Sequence, residues 1–157
     1  MIEAIKQFFS ERIASRAEPE DAGEQRMRLA TAALLIEMAR ADHSEDDVEF
    51  VTLERALEKT FSLDAEQTRE LVQLAAQEVD AATSHYQFTS LINGSFAPEE
   101  KVYVIELMWQ VAYADGQLDK YEEHLVRRIA DLIYVPHRDF VAAKHRTMER
   151  MGIAQDL

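Results

Sequence analysis

Three carboxylates spaced i, i+4 and i+7 occur twice in this chain. Asp42, Asp46 and Glu49 lie in Ala41-Asp42-His43-Ser44-Glu45-Asp46-Asp47-Val48-Glu49, and Asp115, Asp119 and Glu122 lie in Ala114-Asp115-Gly116-Gln117-Leu118-Asp119-Lys120-Tyr121-Glu122. The offset between them is 73 residues, from position 42 to position 115. Three carboxylates that converge repel one another, which raises their pKa values unless a cation, an arginine or water screens them. A hard divalent ion relieves that repulsion, and an all-carboxylate set suits calcium, magnesium or manganese rather than zinc. The spacing is not that of the twelve-residue EF-hand loop, so a calmodulin-type switch is disfavoured. The same residues also have a plain structural use, since Asp caps helix N-termini and Glu favours the first turn.

The agreement at this offset extends beyond the acids. Leu34 matches Leu107, Ala39 matches Ala112, Ala41 matches Ala114 and Arg55 matches Arg128. Similar pairs fill between them, such as Leu35 with Met108, Leu53 with Val126 and Phe61 with Tyr134. The repeat therefore implies two related sites, or one site shared across an internal two-fold. Arg55 and Arg128 are placed to reach acids of the opposite copy or to lie in solvent. His43, Glu45 and Asp47 add ligand-capable groups to the first copy alone, so the two need not be equivalent.

The elements that must position these residues read at helical period nearly everywhere. A first helix is expected around Ile2, Ile5, Phe8 and Ile13, and Arg16 to Gly23 reads as a loop containing Pro and Gly. The second helix is expected from Glu24 to Ala41, with Ala32-Ala33-Leu34-Leu35-Ile36 marking a central, buried element. Ser44 is a candidate N-cap for a third, on which Val48, Val51, Ala56 and Phe61 mark the buried stripe. Asp64 with Gln67 forms a capping box for a fourth, whose inner face is Leu71, Leu74, Ala75 and Val79. A short helix over Ser84 to Asn93 is stopped by Gly94. Pro98 starts a sixth, Leu118 to Ile133 holds a seventh, and His137 to Met151 forms the last. No segment alternates long enough for a strand. The expected fold is a compact all-α bundle of about eight helices in one domain, residues 1–157, with repeat halves near 24–82 and 84–149 and a central pair of helical hairpins.

Composition narrows the function. The chain has 157 residues, no cysteine and a formal net charge of -13. Disulfides, thiolate zinc sites and cysteine nucleophiles are thereby excluded. Residues 1–80 carry 19 acids against 9 Lys/Arg, and residues 81–157 carry 11 against 8. That charge repels a phosphate backbone and disfavours nucleic acid, while it suits cations or a basic protein partner. The apolar run from Val102 to Ala114 is too short to span a bilayer, and no signal peptide is visible, so a cytoplasmic location is the default. No phosphate loop, HExxH motif, nucleophile elbow or substrate cleft is indicated. The last helix carries Arg138, Lys144, Arg146 and Arg150 beside Phe140 and Met148, a pattern shared by partner-binding helices and ordinary packed ones.

The pattern Ala-x-Ala-Asp-x-x-x-Asp-x-x-Glu, and Val-Ala-Tyr-Ala-Asp-Gly-Gln-Leu-Asp-Lys-Tyr-Glu in the second half, resembles the TerB-like (tellurite-resistance B) family, which includes the N-terminal domain of DjlA-type co-chaperones. The likeness runs from about Glu24 to Arg146 and is best at Ala114 to Glu122. It implies a compact helical fold with an internal repeat, a link to tellurite resistance and membrane-associated stress complexes, and a metal set at Asp42, Asp46, Glu49, Asp115, Asp119 and Glu122. The first copy departs by having His43-Ser44-Glu45 where the second has Gly116-Gln117-Leu118. The resulting expectation is a non-enzymatic, bacterial, cytoplasmic binding module that takes a divalent cation on these acids or presents them to a basic or membrane-associated protein complex. Two alternatives stand beside it: a metal-independent adaptor whose acids only cap helices, and a hydrolase using metal-bound water.

Overall fold

The computed structural model describes residues 7–8, 10–11, 20–41, 47–80 and 86–153, with side chains described for these except 20–23, 25, 41, 47–49 and 75–80. Seven helices are present among the described residues, and no strand. They are α1 (Glu20–Ala41), α2 (Asp47–Phe61), α3 (Ala65–Asp80), α4 (Gln87–Ser95), α5 (Pro98–Ala112), α6 (Lys120–Leu132) and α7 (His137–Met151). Of the first helix expected from the sequence, residues 7 and 8 are α-helical and residues 10 and 11 π-helical. Phe8 is buried there, edge-on to Phe88 of α4 with ring centroids 6.3 Å apart.

The all-α expectation holds, with corrections at element ends. α1 begins at Glu20, four residues before the expected start, so part of the stretch read as a loop is helical. Glu20 and Asp21 stand in its first turn, where the helix dipole favours acids, and the long packed helix outweighs the roughly 1 kcal/mol cost of Gly23. α4 runs on past Gly94 to Ser95 and closes with Phe96 N–H donating to the Ile92 carbonyl. On α2 Phe61 is buried and Ala56 half-buried as expected, but Leu53 and Leu57 fill the rest of the buried stripe, Val51 is 41% exposed, and the side chain of Val48 lies outside those described. The expected cap at Ser44 lies outside the described residues.

α1 and α5 form the centre. From Leu29 to Ala39 every residue of α1 is buried, and so are Val104 to Trp109, Val111 and Ala112 of α5. A helix buried on all sides must be apolar all round, which is what Ala32-Ala33-Leu34-Leu35-Ile36 supplies. The polar residues inside are satisfied locally: Thr31 Oγ1 donates to Met27 O at 2.8 Å, and Thr147 Oγ1 to Ala143 O at 2.9 Å. α3 packs on α1 as α7 packs on α5, and α1 packs on α5. The second helices differ: α2 lies mainly on α5 of the other hairpin, while α6 packs on its own partner α5 and also reaches α1. The packing of α3 on α1 and of α7 on α5 follows the sequence repeat, whereas α2 and α6 pack differently. α2 begins at Asp47 and α6 at Lys120, which is the same offset of 73 that separates the acidic trios.

Three acids are buried among the described residues, and two of them join elements. Glu37 of α1 is 1% exposed and receives Phe88 N–H at 2.7 Å, Thr89 N–H at 3.1 Å and the Thr89 hydroxyl at 2.7 Å, so it caps α4 from inside the core. Glu106 of α5 accepts from Arg146 at 3.2 Å and Arg150 at 2.8 Å on α7. These two arginines of the basic last helix are therefore engaged within the bundle. The third buried acid, Glu122, belongs to the repeated trio. Trp109 and Tyr113 are core residues, and the Trp109 indole N–H donates to Phe140 O at 3.2 Å. No helix among the described residues is long and apolar enough to cross a membrane.

Candidate functional site

The second trio sits where α5 turns into α6. α5 ends at Ala112, and the chain reverses through Tyr113 to Leu118. The reversal is closed by Ala114 N–H to Val111 O at 3.1 Å, Gly116 N–H to Tyr113 O at 2.8 Å and Asp119 N–H to Ala112 O at 3.0 Å. Gly116 has φ +85°, a left-handed conformation that glycine adopts without penalty. This turn carries Asp115 at its exposed tip and delivers Asp119 to the N-cap of α6, where its Oδ1 accepts Glu122 N–H at 3.0 Å.

Glu122 is the unusual member. It occupies the third position of α6, from which Glu or Gln commonly reaches back to the cap residue's N–H. Two other helices here do just that: Gln67 Oε1 accepts Asp64 N–H at 3.2 Å, and Glu100 Oε1 accepts Ala97 N–H at 2.8 Å. In α6 the corresponding donor, Asp119 N–H, is already given to Ala112 O. Glu122 is 2% exposed, and no donor among the described residues pairs with its carboxyl. Burial first, then the charges of Asp119 and Asp115, push its pKa from 4.5 up to about 8. The turn therefore brings Asp115, Asp119 and Glu122 close enough to act on one another, and the innermost carboxyl holds a proton at neutral pH.

Asp115 is also approached from the other half of the molecule. Lys59 of α2 donates to the Ala114 carbonyl at 3.3 Å and stands 3.8 Å from Asp115 Oδ1. The contact with an acid of the opposite hairpin that the sequence offers to Arg55 is made, among the described residues, by Lys59 instead. Arg55 lines the same cleft, and Arg128 is half-buried on α6. Of the first trio, Asp42 and Asp46 lie outside the described residues, and Glu49 falls in the first turn of α2 with its side chain undescribed. In the conformation seen, no three His, Asp or Glu side chains among the described residues are grouped closely enough to hold a metal ion. Residues 28–145 match the family model for tellurite resistance protein TerB. No curated protein and no solved structure matches the chain.

Proposed function

Since the chain belongs to the tellurite resistance protein TerB family, we propose that it is a non-enzymatic binding module that takes a calcium, magnesium or manganese ion on Asp115, Asp119 and Glu122, with Asp42, Asp46 and Glu49 as the repeated set. In this role it serves a bacterial stress or tellurite-resistance complex in the cytoplasm. One observation carries the reading: a buried glutamate with no donor among the described residues, raised to a pKa of about 8 beside two further acids. A carboxyl kept in that state is destabilised whenever it ionises, and a divalent cation offsets that cost. The donor set fits the ion in kind. Asp115, whose side chain is 83% exposed, can swing inward from Lys59 to join Asp119 and Glu122. Calorimetric titration of each ion into wild type and Glu122→Gln tests it. Uptake of one ion at this trio by wild type, lost in the variant, is expected, together with proton release below pH 8. Equal heats from both proteins would remove the cation.

A second reading has its own support. Asp119 and Asp64 do cap their helices through Glu122 N–H and Gln67 N–H, so the acids have a structural role without any ion. On that reading the chain is a metal-independent adaptor. Capture of a partner that survives chelator would favour it.

A further inference from the structure

α2 sorts its charges into like-signed columns. Glu54 and Glu58 are spaced i,i+4, and so are Arg55 and Lys59. Like charges at that spacing repel, whereas a helix charged only for solubility gains from opposite signs there. Burial, and then Glu58, hold the Glu54 carboxyl above its usual range, with Arg40 opposing. The basic column faces a cleft of about 310 Å³ lined by Thr52, Arg55, Ala56 and Lys59 of α2 and by Asp115 of the α5–α6 turn. Thr52, Arg55, Ala56 and Lys59 fall on one face of α2 at i, i+3, i+4 and i+7. Two cations meet one acid there, in a chain of net charge -13. Asp115 engages Lys59 only at 3.8 Å, and Arg55 makes no ion pair among the described residues.

We propose that this cleft binds a single oxyanionic group of a ligand, a phosphate or a carboxylate, with the Arg55 guanidinium and the Lys59 ammonium as its cationic contacts. The guanidinium fork suits two oxygens of either group, and the ammonium supplies a second point charge. The ligand carries one such group, because the overall negative charge repels a polyanion. Asp115 is the internal competitor, holding Lys59 until the anion arrives. The site does not rest on the cation proposed above, although Asp115 is common to both and would release Lys59 on joining that ion.

The test is an NMR titration of the full-length, isotopically labelled chain in chelator, so that no divalent ion contributes. Sodium phosphate and sodium acetate are added separately, against sodium chloride at constant ionic strength. Saturable shifts confined to the amides around Thr52, Arg55, Ala56 and Lys59 are expected with phosphate or acetate and not with chloride, and the stronger of the two identifies the group. Arg55→Gln weakens binding about tenfold. Asp115→Asn, which frees Lys59, strengthens it about threefold. Shifts that fail to saturate or that chloride reproduces, or an Arg55→Gln variant that binds like wild type, overturn the site. An unchanged Asp115→Asn affinity overturns the assignment of Lys59 as a contact.

Discussion

Replacing Glu122 by Gln keeps the shape of the side chain and removes its ionisation. The folded-state pKa lies near 8 and the ordinary value is 4.5. Because the folded state holds the proton more tightly, this group's stabilising contribution is fully present below pH 4.5 and is lost as the pH rises through 8. Within that window the wild type loses about 1.4 kcal/mol per pH unit relative to the variant, to a ceiling of about 5 kcal/mol. That is a large share of the roughly 5–15 kcal/mol expected of a domain. The other titrating groups are common to both proteins and cancel in the difference. Urea unfolding of both, in chelator at unit steps from pH 5 to 9, reads it directly. The variant should match wild type near pH 5, exceed it by about 3 kcal/mol at pH 7, and level off above pH 8. Saturating divalent cation should then close the gap by stabilising wild type alone, by about 2.7 kcal/mol at a hundredfold excess over Kd. Stability curves that run parallel across the whole range would show that Glu122 is ionised throughout and would refute the reasoning.

Glu37→Ala should cost about 3–5 kcal/mol in urea unfolding, because it strands the buried Phe88 and Thr89 donors that start α4; a loss under about 1 kcal/mol would mean that water replaces the carboxylate. Tyr134 is 77% exposed and holds φ +63° at the end of α6, where Val135 N–H reaches back to Ala130 O at 2.9 Å. Tyr134→Gly should relieve about 1 kcal/mol of left-handed strain, less about 0.5 kcal/mol for the lost contact with Lys101. The net is a rise of roughly 1–3 °C in Tm by calorimetry, and a fall would show that the aromatic contact outweighs the strain.

Much of the fold was legible because local chemistry and packing agree. α7 begins after Pro136 and stops at Gly152, which has φ +69°, so both ends are written in residues with one strong preference. The early onset of α1 was hidden because Gly23 argues against a helix locally, and tertiary burial further along decides otherwise. On α2 the apolar residues offered two stripes at helical period, and packing on α5 selected Leu53, Leu57 and Phe61. The repeated trio was visible in the sequence, but the state of Glu122 was not. A Glu in a first helical turn is ordinary until the turn at Gly116 hands its usual donor to Ala112. Lys59 carries no such signal in the sequence: its counterpart at the repeat offset is Leu132, and the symmetric basic pair is Arg55 with Arg128.

Because α1 packs on α5, α2 lies mainly on α5 and α6 reaches α1, neither hairpin completes its own interior. Severed after the exposed Gly94, the two polypeptides would each display an oily seam that only the other can cover. They would be recovered together as a tight pair or precipitate separately. A protein interlaced in this manner has no half that can be discarded, so evolution can vary its rims and turns freely while the join between its two copies must change in concert.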